Sequence, residues 1–283
     1  MTALRTRPRR LVDADLAALH RLLALDPVAN CTLVARLDRA RTMSPRGLGG
    51  AVWAVDDPAG TGLAAACFWG GSVVPVGSPD ALPSLAQELV REERTRSVIV
   101  GLAEAVAAVW PTLRPTWGRA RSERLQQPLL ATDRVSDLRA DPRVRVVRRA
   151  ELGRYLLAAE AMFAEEVGCP VAPGRGERAY RAHHEGLVAS GRALARFDER
   201  GSVVFKAEIA AVTAECTQIQ GVWVAPAWRG RGVATGGMAA VLRHALRYAP
   251  VASLYVNGYN VPARRLYRRL GMTEIGCMST VLF

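Results

Sequence analysis

The stretch Gln218-Ile-Gln-Gly-Val-Trp-Val-Ala-Pro-Ala-Trp-Arg-Gly-Arg-Gly-Val-Ala-Thr-Gly-Gly-Met238 decides the fold predicted for this chain. It opens with an apolar strand pattern over residues 219–224, and Pro226, which cannot donate to a central ladder, marks the strand's end. The glycine-rich residues 229–234 then lead straight into a predicted helix around residues 238–246. Glycine lets a backbone approach a ligand closely, and the free N–H groups of a helix's first turn attract anions. This arrangement predicts a phosphate-binding loop.

Two well-known phosphate loops do not fit these residues. No G-x-x-x-x-G-K-[ST] pattern occurs in the chain, which excludes a Walker loop. Gly230-Arg-Gly232 lacks the third glycine of the dinucleotide fingerprint, and no acid that could bind a ribose follows about 20 residues later. Taken by itself, the loop has a simpler alternative, a flexible arginine-rich turn before an ordinary helix.

A second stretch follows about 25 residues later and reads Leu254-Tyr-Val-Asn-Gly-Tyr-Asn-Val-Pro-Ala-Arg-Arg-Leu-Tyr-Arg-Arg-Leu-Gly-Met272. Arg229-x-x-Gly232-x-Ala234 in the first stretch resembles the pyrophosphate loop Q/R-x-x-G-x-G/A of the GNAT superfamily of acyl-CoA-dependent N-acyltransferases. The second stretch is similar to that superfamily's N-x-x-A-x-x-L-Y-x-x-x-G-F motif, with Met272 in place of the usual aromatic residue. The resemblance covers residues 191–283 well, residues 143–190 loosely, and the first half only in topology.

The resemblance implies roles for individual residues. The backbones of Val222 and Val224 would pair with the pantetheine arm of acetyl-CoA, the acyl-donor substrate, while Trp223 would point either into the core or towards the acceptor. Tyr267 would protonate the departing thiolate as general acid, because a phenol with a pKa of about 10 is protonated at pH 7; the alternative is a helix tyrosine covering the core. The other implied cofactor contacts are Arg229, Asn260, Ala263 and the backbone amides of Arg231, Gly232, Val233, Ala234, Thr235 and Gly236.

The general base is the part of the site where the resemblance is weakest. Many members carry a glutamate on the strand that here reads Gln218-Ile-Gln220, and glutamine cannot usefully accept a proton. The candidates are, in order of preference, Glu208, Glu166, and then Glu215 and Glu165. Each has the alternative of being an ordinary surface or ion-paired acid. The pair His183-His184 lies on a charged predicted helix and is interpreted as a solvated surface pair.

Two halves of the chain share one order of predicted elements. The polar residues 131–141 separate them, which predicts domains at residues 1–140 and 141–283. Each half reads hairpin, strand, helix, strand, helix, and we interpret this as a tandem duplication. The predicted fold class is α/β (α+β), with two GNAT-like domains, each a mixed, mostly antiparallel sheet flanked by helices. The predicted elements are 50–57, 63–69, 72–76, 81–93, 97–101 and 103–113 in the first half, and 191–198, 203–212, 218–224, 233–248, 253–257 and 262–270 in the second.

The whole chain resembles a two-domain bacterial GNAT protein, in which the N-terminal half would be a degenerate, catalytically silent copy. Asp80 stands where the phosphate loop would be, and its charge would oppose a phosphate at a helix N-terminus. Residues 103–110, which correspond to the surroundings of Tyr267, offer no obvious acid. Residues 114–130 are interpreted only as a basic surface.

The positive charge is concentrated in the segment that carries both motifs. The 283 residues have a formal net charge of +12, and Lys206 is the only lysine among the 38 Lys and Arg residues. Residues 229–270 contain eight arginines and no Asp or Glu. A cofactor with a pyrophosphate and a ribose phosphate explains this surplus better than nucleic acid does, since no nucleic-acid-binding motif is visible.

Composition limits the remaining partners. Apolar residues make up 50% of the chain, yet no run approaches the roughly 20 residues that span a bilayer, so we expect a cytoplasmic protein with no membrane partner. The five cysteines include no C-x-x-C pair, which predicts free thiols and no metal site. The oligomeric state is left open.

These observations predict an enzyme, an N-acetyltransferase that moves an acetyl group from acetyl-CoA to a primary amine by direct attack in a ternary complex. The acceptor would be a small-molecule or protein amine. One alternative is a non-catalytic CoA-binding regulatory protein, which the missing strand glutamate supports. The other is an arginine-rich nucleic-acid-binding protein.

Overall fold

The computed structural model describes residues 7–91 and 98–283 and divides into two compact units. The first unit comprises the described residues up to 130 together with residues 255–260 and 274–283. The second comprises residues 131–254 and 261–273. Residues 131–140 thus pack with the second unit, while the predicted division into domains at residue 140 stays a prediction.

The first unit is a sheet with helices on both faces. Its strands lie in the order β1-β2-β3-β4-β5-β12-β6, and from β1 to β12 in this order the pairing is antiparallel except between β4 and β5. The strands are β1 (Arg9–Arg10), β2 (Gly50–Asp56), β3 (Leu63–Gly70), β4 (Val73–Gly77), β5 (Val98–Leu102), β6 (Ser122–Thr132) and β12 (Thr273–Leu282). The helices are α1 (Leu16–Leu23), α2 (Cys31–Ala40), α3 (Pro45–Leu48), α4 (Leu82–Leu89) and α5 (Ala103–Trp117).

Successive side chains of strand β3 point to opposite faces of the sheet, and each face has its own hydrophobic core. Phe68 and Ala66 pack with leucines of α1 and α2 on one face of the sheet. Cys67 and Trp69 point to the other face, where they pack with α4 and α5. Because both faces are covered, β3 is apolar over its whole length instead of alternating.

The second unit contains both motifs. Its strands lie in the order β11-β10-β9-β8-β7, with β10 and β11 parallel and the other pairs antiparallel. The strands are β7 (Arg145–Val146), β8 (Ala193–Phe197), β9 (Val203–Val212), β10 (Cys216–Val224) and β11 (Val251–Tyr255). The helices are α6 (Leu152–Val167), α7 (Arg175–Ala189), α8 (Val233–Ala245) and α9 (Val261–Arg269).

Helices cover both faces of the second sheet as well. Helix α8 lies against Phe205 of β9, so closely that a Cβ atom added to Gly237 would stand 2.8 Å from the Phe205 ring. On the opposite face, Tyr155 of α6 and Leu187 of α7 pack over β8 and β9. The predicted fold class, a mixed and mostly antiparallel sheet flanked by helices in each half, is confirmed.

Most predicted elements lie within a few residues of their observed bounds, but some elements were missed. Residues 114–130, interpreted as a basic surface, contain the end of α5 and most of β6. Pro128 and the mostly polar residues 122–127 hide the strand pattern of β6, because a proline argues against a central strand. Strand β12 and helices α1 to α3 were not predicted either. Residues 92, 93 and 97 of two predicted elements lie outside the described residues.

No helix in the described part of the chain is both long enough and apolar enough to cross a bilayer.

Candidate functional site

The predicted phosphate loop joins β10 to α8. Residues 226–228 form a short 3-10 turn, and Gly232 is the N-cap of α8. Gly232 has a φ of +74°, a left-handed conformation that favours glycine, and no atom lies within 4 Å of a Cβ added there. The first turn of α8 contains no acidic residue, so its free N–H groups face no competing carboxylate of their own helix.

The predicted amide donors take up the start of this helix. Gly232 to Thr235 span the N-cap and the first three helical positions, and the Thr235 N–H donates to the Gly232 carbonyl at 3.1 Å. Gly236 is the fourth helical residue, and its carbonyl accepts a hydrogen bond of 2.9 Å from the Asp141 N–H. Arg231 precedes the helix, and its guanidinium lies 5.6 Å from the centre of the Trp228 ring.

The other arginine of the loop is held by an ion pair. The Arg229 Nη2 atom lies 2.6 Å from Glu165 Oε2 of α6, and its Nε donates to the Val224 carbonyl at 3.0 Å. The other oxygen of Glu165 accepts from the Trp223 indole at 3.3 Å. Trp223 is half-buried and packs against the cluster under α6, so it points to the α6 side of the sheet. One carboxylate thus ties α6 to both β10 and the loop.

Strand β10 has an unpaired edge beside this loop. Its paired residues with β11 run only from Cys216 to Gln218, so residues 219–224 have no β11 partner in the described pairing. Val222 and Val224, which were predicted to pair with an extended cofactor arm, lie on this stretch. Unpaired backbone groups at a sheet edge are the usual partners of an added extended segment.

A β-bulge interrupts the pairing of β10 with β9. Gln220 pairs with Glu208 and Trp223 pairs with Lys206, so two residues of β10 oppose one residue of β9. Gly221 in the bulge has a φ of +61°, and its carbonyl accepts a hydrogen bond of 3.1 Å from Lys206 Nζ. A Cβ atom at Gly221 would lie 2.9 Å from Lys206 Nζ, so both the backbone conformation and the space require glycine.

Glu208 lies in a buried cluster with three donors. Its Oε1 atom lies 2.7 Å from Lys206 Nζ, 2.8 Å from the Tyr155 hydroxyl and 3.2 Å from His184 Nε2. Burial alone would raise the pKa of Glu208, but the charge of Lys206 and the hydrogen bonds from His184 and Lys206 hold that pKa well below its ordinary range. A carboxylate so fully engaged is a weak proton acceptor.

The interpretation of His184 as part of a solvated pair is wrong. Its side chain is 3% exposed, and its Nδ1 lies 2.8 Å from the Tyr180 carbonyl. The charged sequence of α7 does not indicate that His184 faces β9. The packing shows it, since the His184 side chain lies against Glu208. His183, its neighbour, is exposed.

Tyr267 and Glu166 interact electrostatically. Tyr267 lies in α9 and is 5% exposed, while Glu166 is exposed near the end of α6. Burial raises the pKa of Tyr267 well above its ordinary value, and the negative charge of Glu166 raises it further. The phenol is therefore protonated at neutral pH, the form that a proton donor needs, although the raised pKa also makes it a weaker acid.

The remaining predicted residues lie in α9, in the segment before it and in the turn between β9 and β10. Ala263 is half-buried in α9. Asn260 precedes α9 in the segment 255–260, which packs with the first unit, and its N–H donates to the Asn257 carbonyl at 2.8 Å. Glu215 is exposed in the turn between β9 and β10. Among the described residues, no group of three or more His, Cys, Asp and Glu side chains could hold a metal ion.

Sequence reasoning missed Lys206, Tyr155 and His184 as partners of Glu208. A signal was available for one of them, since a single lysine in an arginine-rich chain stands out. The other two carry no comparable mark, because a helix tyrosine and a helix histidine are common residues.

Comparison with known proteins defines the class. Residues 162–272 match the acetyltransferase (GNAT) family, and residues 50–155 match a domain of unknown function, DUF4081. No curated protein sequence matches the chain. Residues 162–272 are therefore a domain of the GNAT acetyltransferase family, and acyl transfer is the activity of that class.

Solved structures share the fold over nearly the whole chain. A GNAT-family acetyltransferase from Colwellia psychrerythraea is 12% identical, with 98% of this chain and 99% of that one covered and a TM-score of 0.57. A GCN5-related N-acetyltransferase from Sphaerobacter thermophilus is 18% identical, with 98% and 95% covered and a TM-score of 0.56. A tandem GNAT protein from the clavulanic acid biosynthesis pathway is 13% identical, with 97% and 98% covered and a TM-score of 0.54. The chain therefore shares the fold of these proteins, a tandem GNAT protein among them.

Proposed function

We propose that this protein transfers an acetyl group from acetyl-CoA to a primary amine by direct attack in a ternary complex. The observation that carries the proposal is the unpaired edge of β10 leading directly to the left-handed Gly232 at the start of α8. An extended thioester arm would lie along the edge, and its pyrophosphate would meet the free N–H groups of the helix. The acceptor is a small-molecule or protein amine.

Arginines of the loop supply charge around the proposed pyrophosphate site. The Arg231 side chain is exposed, and its guanidinium lies 5.6 Å from the centre of the Trp228 ring, just before the start of α8. Arg229 is paired with Glu165, so binding of a pyrophosphate would compete with that carboxylate for the guanidinium. Asn260 and Ala263 remain proposed contacts of the cofactor arm.

Tyr267 is the proposed general acid, and Glu166 is the better of the two preferred bases. When bound, acetyl-CoA supplies the thioester whose departing thiolate takes a proton from the Tyr267 phenol. Glu208 was ranked first among the bases, but its low pKa and three donors make it a poor acceptor of the amine's proton. Glu166 is exposed and close enough for its charge to act on Tyr267.

Calorimetry with acetyl-CoA tests the binding part of the proposal. We expect the wild-type protein to bind, and Gly232→Glu to abolish binding because it places a carboxylate at the helix N-terminus. Gly60→Glu is the matched control, since Gly60 in the first unit also has a positive φ and open space around it. Absence of binding by the wild type, or equal binding by Gly232→Glu, would refute the proposal.

A CoA-binding protein without catalytic activity is the second candidate. It is favoured by Gln218 and Gln220, which stand on the strand where many family members carry a glutamate. The Gln220 amide nitrogen donates to the Gln218 amide oxygen at 3.0 Å. A turnover assay over a panel of primary amines separates the two candidates. Turnover that is lost in Glu166→Gln, with acetyl-CoA binding retained, supports the enzyme; binding without turnover of any amine supports the regulatory protein.

A further inference from the structure

The only lysine of the chain is completely buried. Lys206 lies in β9 with a relative exposure of 0%, and its ammonium group has three partners. They are Glu208 Oε1 at 2.7 Å, the Gly221 carbonyl at 3.1 Å and Met162 Sδ at 3.5 Å. Lysine and glutamate are almost never fully buried unless they are paired, so this arrangement has a cost that a simple apolar core would avoid.

The ammonium group of Lys206 contacts the bulge of β10 through the Gly221 carbonyl. The Gly221 carbonyl and the Val222 N–H belong to one planar trans peptide, and these two groups point in opposite directions. Because the carbonyl accepts from Lys206, the Val222 N–H points away from the ammonium group. Backbone pairing with β9 does not set the orientation of this peptide, since Gly221 and Val222 fall between two paired positions.

We propose that the buried Lys206–Glu208 pair is a positioning device, which holds the Gly221–Val222 peptide so that β10 presents its backbone to the cofactor arm. That this peptide binds the cofactor arm rests on the proposed function. The contact between Lys206 and the Gly221 carbonyl does not depend on it. Lys206 holds the carbonyl, and Glu208 balances the buried charge. Tyr155 and His184 fill other sites around the Glu208 carboxylate and keep it in place.

The chemistry of the two cations explains why lysine stands here in an otherwise arginine-rich chain. An ammonium group is a compact charge with three donors, whereas a guanidinium is a planar fork that suits paired oxygens. The three partners of Lys206 lie in three different elements, namely β9, β10 and α6. A compact donor can reach all three, and a flat one of larger size cannot do so in the same space.

Removal of both charges tests the proposal without leaving a buried charge unpaired. Lys206→Met alone would strand Glu208, and the protein could unfold for that reason. The double variant Lys206→Met/Glu208→Gln keeps the volume and removes both charges. We expect it to fold, with its affinity for acetyl-CoA at least tenfold lower than in the wild type. Arg145→Met/Glu151→Gln is the matched control, because it removes a different ion pair of the second unit, 2.7 Å long, between β7 and the turn before α6; its affinity should stay within threefold.

Hydrogen exchange measured without ligand gives a second readout that does not depend on the proposed function. The amides of residues 219–224 should exchange at least tenfold faster in the double variant, while those of β2 and β3 keep their wild-type rates. Wild-type affinity together with wild-type exchange in the double variant would overturn the proposal. If the wild type binds no acetyl-CoA, the proposed function fails, and the exchange of residues 219–224 alone decides the role of the pair.

Discussion

At the scale of single residues, burial decides which acids and bases can act. Tyr267 and Glu208 are both buried, yet their surroundings push their proton affinities in opposite directions. Burial and the charge of Glu166 raise the pKa of Tyr267, so it keeps its proton. Glu208 meets a buried ammonium group and keeps its charge. Burial therefore keeps the tyrosine protonated, whereas the charge of Lys206 and the hydrogen bonds around Glu208 make the glutamate a weak base.

Tyr267→Phe should lower kcat much more than it weakens binding of acetyl-CoA. The variant removes only the hydroxyl, and a positioned general acid typically contributes about 100-fold or more to the rate. Steady-state kinetics and calorimetry on the same preparation measure the two effects. Tyr248→Phe is the control, since the Tyr248 side chain is 41% exposed on the surface of the second unit. An unchanged kcat in Tyr267→Phe would assign the tyrosine to the core alone.

At the scale of elements, the connection from β10 to α8 combines three glycines with different tasks. Gly221 permits the bulge, Gly232 permits the left-handed N-cap, and Gly237 permits the close approach of α8 to the sheet. The pattern in the sequence predicted the strand, the loop and the helix, because each has a local signature. It did not predict the bulge, because a bulge depends on the register with β9.

Gly237→Ala should destabilise the protein although alanine is the better helix former. The added methyl group would lie 2.8 Å from the Phe205 ring, and overpacking of a tight core costs about 1–3 kcal/mol, more than the gain in helix propensity of about 1 kcal/mol. Urea unfolding measures the difference. Phe205→Leu in the same chain makes room and should recover part of the loss. A Gly237→Ala variant more stable than the wild type would show that α8 can move away freely.

At the scale of the whole molecule, the order of the chain and the order of packing differ. Strand β12, near the end of the chain, pairs with β5 in the first unit, from Met278 opposite Leu102 to Leu282 opposite Val98. Phe283 packs edge-on against Trp110 and Trp117, at 5.6 and 5.4 Å between ring centres. The first unit therefore depends on residues that are distant in sequence.

Val281→Asp should destabilise the first unit strongly. Val281 is 0% exposed in β12, and an unpaired charge placed there costs about 3–5 kcal/mol. Thermal unfolding followed by tryptophan fluorescence reports on this unit through Trp110 and Trp117. Ile275→Asp is the matched control in the same strand, because Ile275 is 50% exposed. Equal melting temperatures of the two variants would contradict the role of β12 in the core.

The sequence by itself determined the class of fold, the loop at the start of α8 and the position of Tyr267 in a motif. These features depend on local patterns, namely apolar periodicity, glycine spacing and the order of elements. Only the tertiary structure decided that β12 belongs to the first unit, that His184 is buried, and that the charge of Glu208 is balanced by the single lysine. Each of these depends on contacts between residues far apart in the chain, and such contacts set the burial and the charge balance that determine which carboxylate can accept a proton.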